Sequence, residues 1–351
     1  MVIYDLTILN NCPSFYKINL YNEISLKKKI FVIFLGYSEH VVIDDEFDNH
    51  INFDYIVLNK FQLEKRSFFT TFFKILQILK KVRSKKIIYG GYIEKEFLLL
   101  SFINTKSKNI LQSESAGESV VTGWKRYIKK ILLSRYDKAI VSGKRHQKVL
   151  TDLNFKGNIF ISKGVGILRK ERNDERLSKT EIINNNSGLR FLFVGRIIKL
   201  KNVDLLIDVF NKLGISLTIV GDGIERKELE SKSKSNIIFK GYCSNEEIHK
   251  YYKEADVFIL PSYSEPWGLV VEEALYYNCV LLLSENVGSL SELLLEPKTG
   301  ISFNPHSKES LKNSIMKVIE NYNYYKANAI EFDIDNKDRE QIQSYLNLLN
   351  D

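Results

Sequence analysis

The 351 residues are 44% hydrophobic and 27% charged, ample for a buried core and unlike a disordered chain. The three cysteines, Cys12, Cys243 and Cys279, stand far apart, and the five histidines never reach metal-ligand spacing. This excludes a disulfide scaffold and the common zinc motifs, and it points to a reducing cytosol.

The first half reads as strands at 3–9, 30–35, 55–58, 86–89, 109–112, 138–141 and 158–161, with helices between them. The first of these, with Asp5 and no basic leader, reads as a strand and not a signal peptide. No apolar run approaches the ~18 residues that span a bilayer. The net charge of +8 is uneven: residues 1–170 carry 29 Lys and Arg against 15 Asp and Glu, and the remainder 22 against 28. The basic excess, and the anionic surface it would meet, belong to the first half. Two stretches there mix cations with apolar bulk. Residues 65–86 read as a helix packed on the sheet. In residues 124–135, Trp124, Tyr127, Ile128, Ile131 and Leu132 share a face flanked by Lys125, Arg126, Lys129 and Lys130, which suits a helix lying in a headgroup layer.

Residues 168–188 are polar and end in an Asn-Ser-Gly run, which reads as a linker. Beyond it, strands at 191–195, 216–220, 237–239, 256–260 and 280–283 alternate with helices at 202–213, from about 224, from 244 with Glu247 closing a capping box, at 268–277 and at 289–295. Apolar strands alternating with helices predict parallel sheets covered on both faces. The fold class is α/β with two Rossmann-like domains: 1–168, a linker at 169–188, and 189–325. A C-terminal segment, 326–351, is expected to pack back on the first domain.

Three clusters carry chemistry. After the strand ending at Val194 come Gly195, Arg196 and Lys201, two cations at a helix start, suited to a diphosphate or to an ordinary charged loop. Gly221-Asp222-Gly223 follows the next strand, as a ligand-approach loop or a plain turn. In the third, Glu265-Pro-Trp-Gly268 opens a helix. Gly268, Leu269 and Val270 would present free N–H groups to a phosphate, and Glu273 could accept from vicinal hydroxyls. Glu272 reads as a surface glutamate.

Together these segments resemble the donor domain of glycosyltransferase family 4, the group 1 transferases of GT-B fold, over about 191–305. The resemblance rests on Gly195-Arg196 with Lys201, Gly221-Asp-Gly223, the glutamate pair Glu265 and Glu273, and Val287-Gly288 with Glu292-Leu293. It implies two Rossmann-like domains facing a cleft. Arg196 and Lys201 would hold the donor diphosphate, Glu273 the ribose and Glu265 the hydroxyls of the transferred sugar, with the backbone at Tyr242 facing the base. Asn202 departs from the glycine common after the lysine, and Trp267 from phenylalanine. The first half is similar more faintly, through Pro13 and Tyr16, Gly91, and Ser113-Glu114-Ser115, which would lie on the acceptor side. No histidine stands where many relatives place one.

The resemblance implies a retaining, hexosyltransferase-type enzyme. It would use a UDP or GDP sugar and a glycan or lipid-diphosphate-linked acceptor, in lipopolysaccharide, capsule or exopolysaccharide synthesis. Cations can stabilise the leaving diphosphate without metal or cofactor. The one Asp-x-Asp triplet, Asp333-Ile-Asp335, reads as a solvated turn. The expected location is cytoplasmic, peripheral on the inner membrane. The alternative is a non-catalytic nucleotide-sugar-binding protein. Nucleic-acid binding is disfavoured, because no module is recognisable and the cations lie on helices rich in Phe, Ile and Leu.

Overall fold

A computed structural model describes residues 3–37, 50–91, 94–115, 123–168, 188–244 and 247–350. The linker read at 168–188 falls almost wholly outside them. The chain divides into two compact units, Met1–Lys170 with Asn336–Asp351, and Glu171–Asp335.

The first unit runs β1 (Ile3–Asn10), α1 (Phe15–Ser25), β2 (Ile30–Tyr37), β3 (Asp54–Gln62), α2 (Phe68–Lys81), β4 (Arg83–Gly90), α3 (Lys95–Ile103), β5 (Asn109–Ser113), α4 (Gly123–Leu133), β6 (Lys138–Val141), α5 (Lys144–Asp152) and β7 (Asn158–Ile161). Its seven strands are parallel, in the order β3-β2-β1-β4-β5-β6-β7. Alternating residues of β1 feed two cores. Leu6 and Ile8 join Leu20, Tyr21 and Ile24 of α1 on one face. Leu9 joins Phe72 and Ile75 of α2, Phe97 and Leu100 of α3, Leu133 of α4 and Leu150 of α5 on the other.

The second unit runs β8 (Phe191–Val194), α6 (Val203–Leu213), β9 (Leu217–Val220), α7 (Arg226–Lys232), β10 (Ile237–Gly241), α8 (His249–Glu254), β11 (Val257–Leu260), α9 (Leu269–Tyr276), β12 (Val280–Ser284), β13 (Gly300–Phe303), α10 (Lys308–Glu320) and α11 (Tyr322–Glu331). The parallel order is β10-β9-β8-β11-β12-β13. This is the doubly wound order, in which the chain reverses direction between β8 and β11 and a ligand crevice opens beyond the strand ends. The second unit's sheet is buried on both faces at β8, β11 and β12.

Finally α12 (Ile334–Asn347) carries the chain into the first unit, where Ile342, Tyr345, Leu346 and Leu348 pack in the α1 core. The Lys138 ammonium donates to the carbonyls of Leu348, at 3.1 Å, and Asn350, at 2.5 Å, anchoring this tail.

Several elements differ from the sequence reading. The helix expected from 244 forms from His249; residues 245–246 of its capping box lie outside the described residues. The helix expected at 289–295 is a π-helical turn at Ser291–Leu295, with the Glu296 amide reaching the Ser291 carbonyl at 3.0 Å. Asp335 does not sit in a solvated turn: it lies in the first turn of α12, beside buried Ile334. The reading of 65–86 as a helix packed on the sheet holds for Phe72 and Ile75, while Phe69 and Phe73 on the same helix stay exposed.

Candidate functional site

The second unit brings three strand-end loops together through close backbone contact. The Gly195 amide donates to the Val220 carbonyl at 3.0 Å, Ile197 to Asp222 at 2.8 Å, and Gly221 to Gly241 at 2.8 Å. A Cβ added at Gly221, which has φ +135°, would stand 1.9 Å from the Gly195 carbonyl oxygen. This glycine is therefore required by packing between loops, whatever ligand they serve.

Lys201 ends a single 3-10 turn, Lys199–Lys201, and its ammonium pairs with the carboxylate of Glu265. Both side chains are largely covered, at 14% and 13% exposure. The two residues come from the β8 and β11 loops, which flank the reversal point of the sheet. Arg196 stands on the same β8 loop with its side chain exposed, and it does not join that pair. Asn202 follows, with φ 54° in the left-handed region that asparagine tolerates. Its amide donates to the carbonyls of Pro261 at 3.2 Å and Pro305 at 2.9 Å. The departure from glycine thus keeps the required backbone shape and adds two tethers.

The Glu265 loop is clamped by the loop after β12. Glu265 forms a bridge with Val287. Its amide donates to Asn286 at 3.3 Å, and its carbonyl accepts from Gly288 at 2.8 Å. Gly268, at φ +92°, turns the chain into α9, so the amides of Leu269 and Val270 stand in the helix's first turn. Glu273 lies half-buried on α9, and its Oε2 accepts from the Tyr252 hydroxyl at 2.7 Å. Burial holds this carboxyl above the usual range; Tyr252 opposes the shift and neighbouring Glu272 adds to it. Tyr252 itself is fully buried and stacks on Tyr277 at 5.7 Å. Tyr242 directly follows β10 and is exposed.

Glu272 is not a surface glutamate. It is fully buried and accepts from the Trp267 indole at 2.5 Å, so the Trp267 departure has a bonding partner. A helical wheel of eight residues cannot tell such a buried acceptor from a solvated one, since the partner arrives from the loop.

At the carboxyl edge of the first sheet, the Lys17 ammonium pairs with Glu114, which also accepts from Gln112 at 2.7 Å. Lys17 is only 4% exposed. The Tyr16 hydroxyl is pushed up to about 12 by burial and by Glu114. Cys12 is pushed up to about 11 by burial, with Glu64, Glu114 and Glu94 contributing. Ser113 and Pro13 are buried, while Ser115 and Gly91, the latter at φ +104°, stand beside this group without joining its pairing. Sequence reasoning missed Lys17, Gln112 and Tyr252. Each lies on an element whose local pattern is that of ordinary core or surface, and each gains its role from a residue 2 to 97 positions away.

Residues 174–331 match the family model described as glycosyl transferases group 1. The chain is 28% identical over 227 residues to an uncharacterized 41.2 kDa protein in the cps region of Klebsiella pneumoniae, covering 62% of this chain and 63% of that one. Among solved structures, the lipopolysaccharide outer core galactosyltransferase WaaB in its apo form is similar with TM-score 0.67 at 14% identity, over 98% of each chain. HepE of Anabaena in complex with UDP is similar with TM-score 0.70 at 15% identity, over 98% of this chain and 99% of that one. The same protein has also been solved with UDP-glucose. The fold is the GT-B fold of these glycosyltransferase structures.

Proposed function

We propose that the protein is a retaining, metal-independent family 4 glycosyltransferase. It moves a hexosyl group from a UDP or GDP sugar to a glycan or lipid-diphosphate-linked acceptor in surface polysaccharide assembly, beside an anionic membrane in the cytoplasm. The observation that carries this reading is the Lys201–Glu265 pair at the reversal point of the second sheet, beside the opening of α9. An ammonium has three donors. One serves Glu265, and the others are free to take diphosphate oxygens, with Arg196 and the amides of Gly268, Leu269 and Val270 adding to the same charge. Glu273 takes the ribose, Glu265 the sugar hydroxyls, and the backbone at Tyr242 the base. The presence of UDP and UDP-glucose in HepE complexes supports a nucleotide sugar as ligand.

In this mechanism the bond from the anomeric carbon to the diphosphate oxygen breaks as the acceptor oxygen bonds on the same face. The acceptor's proton passes to the departing diphosphate. Fixed cations stabilise the charge that develops there, the term that dominates many such reactions. The non-catalytic alternative is not favoured, because both motif glutamates, Glu265 and Glu273, and both basic residues, Arg196 and Lys201, are present in the sequence. Product mass spectrometry with a panel of nucleotide sugars tests the whole reading. Lys201→Ala should slow turnover by about 100-fold or more, and Arg196→Ala combined with it should be less than additive, since both act on one diphosphate. Full activity should persist in EDTA; loss on chelation, restored by magnesium or manganese, would sink the metal-independent mechanism.

A further inference from the structure

Trp267 stands between Glu265, two positions before it, and the opening of α9 directly after it. Its side chain is buried, and so is that of Glu272. The indole Nε1 donates to Glu272 Oε1 at 2.5 Å, so the bond runs from the loop after β11 into the first turn of α9. The main chain of Trp267 is held from another side. Its carbonyl accepts from the Ser289 amide at 3.3 Å, next to the bond from the Gly288 amide to the Glu265 carbonyl. Trp267 is thus tied through its side chain to α9 and through its backbone to the loop after β12.

The tie reaches the charged pair through one contact. A Cβ placed on Gly268 would stand 3.3 Å from Glu265 Cγ, so the Glu265 side chain rests on the backbone of the residue after Trp267. Beyond Cγ, its carboxylate pairs with Lys201. Gly268 holds φ +92° with no side chain of its own to lock that shape. Rotation of the chain there would shift the Glu265 carboxylate relative to the amides of Leu269 and Val270. Apolar burial is non-directional and does not select one rotation. A hydrogen bond is directional and weakens steeply away from a straight approach. The indole donor lies one residue before Gly268 and the Glu272 acceptor lies four residues after it, so the bond straddles the pivot.

We infer that Trp267 and Glu272 are positioning residues, whose buried hydrogen bond across Gly268 sets the Lys201–Glu265 pair relative to the first amides of α9 so that both meet one diphosphate. The inference rests on the donor site proposed above, and neither residue need touch the nucleotide. A role in packing alone makes a different prediction: an apolar pair at 267 and 272 would serve as well.

Four proteins separate the two roles: wild type, Trp267→Phe, Glu272→Gln, and Trp267→Phe with Glu272→Leu. Each is measured for melting temperature, for UDP and GDP affinity by calorimetry, and for hydrogen exchange across residues 261–273 without nucleotide. Trp267→Phe keeps a ring and loses the donor, so it should bind nucleotide about tenfold more weakly or worse, and exchange should quicken across 265–270. Glu272→Gln keeps an oxygen acceptor for the indole and should retain most of the affinity and the slow exchange. The double variant removes both ends of the bond, which costs less stability than removing one. It should melt above Trp267→Phe and yet bind nucleotide no better.

Wild-type affinity in Trp267→Phe overturns the inference. So does recovery of affinity together with melting temperature in the double variant, or a Glu272→Gln variant as weak as Trp267→Phe. If the wild type binds neither nucleotide, the donor reading fails instead, and hydrogen exchange alone decides the positioning role. Unchanged exchange at 265–270 in Trp267→Phe would then refute it, and faster exchange there, absent from Glu272→Gln, would support it.

Discussion

Asn202→Ala and Asn202→Gly separate two contributions of one residue. The side chain is 5% exposed, holds φ 54°, and bonds the carbonyls of Pro261 and Pro305. Either substitution removes both hydrogen bonds, at about 0.5–1.5 kcal/mol each, or about 1–3 kcal/mol together. Alanine adds the strain of a left-handed backbone, so it should be worse than glycine by roughly 1 kcal/mol. The totals are about 2–4 kcal/mol for alanine and about 1–3 for glycine. For a unit of this size 1 kcal/mol moves the melting temperature by about 2–4 °C, so alanine should melt about 4–16 °C below wild type. Differential scanning calorimetry measures this directly. Pro261 leads into the Glu265 loop and Lys201 precedes Asn202, so nucleotide affinity should fall in both variants. Equal melting of alanine and glycine variants would refute the backbone argument. Wild-type melting in both would refute the tethers.

Tyr252→Phe should act through Glu273. The hydroxyl bonds the ionised carboxylate and opposes its upward shift, so its loss should raise the Glu273 pKa further. Donor affinity needs the ionised form, so the loss of affinity on acidification should begin at higher pH in the variant. A calorimetric pH series checks this; a uniform loss with an unmoved profile would assign Tyr252 to packing alone. Gly221→Ala must push a methyl against the Gly195 carbonyl at a disfavoured φ, with strain of about 1–2 kcal/mol and overpacking of about 1–3. Urea denaturation should show it, and a variant as stable as wild type would mean the loops slide apart freely.

Strands of both sheets are readable from the sequence because they are continuous apolar runs, and their parallel order follows from helices set between them. β13 escaped because Gly300-Ile-Ser-Phe303 alternates too weakly, and α11 because its apolar residues follow no clear period, whereas Leu311, Ile315 and Val318 of α10 recur at helical spacing and were there to be read. The charged residues of the second unit were legible by type and spacing: Lys201, Glu265 and Glu273 each occupy a strand end or helix start. Their partners were not. Tyr252 and Trp267 have no local signal for bonding a glutamate, because the contact depends on how α8 and the β11 loop lie over α9. Glu272 was misjudged for the same reason. Lys17 looks like a solvated helix lysine until β5 places Glu114 against it. Pairings across a sheet edge depend on the tertiary structure and leave no periodic trace.

The tail that closes the first unit has a consequence for biosynthesis. Residues 171–335 emerge from the ribosome between the body of that unit and the segment that completes it. At ~5–20 residues per second this interval lasts on the order of ten seconds or more. During it the nascent chain must carry the α1 side of its sheet without Tyr345 and Leu348 to cover it. The second unit, whose residues are contiguous, can finish first although it is made later. Chaperone demand should therefore concentrate on the N-terminal half, and ribosome-bound chains halted before residue 336 should expose Leu20, Tyr21 and Ile24 to any binder of apolar surface.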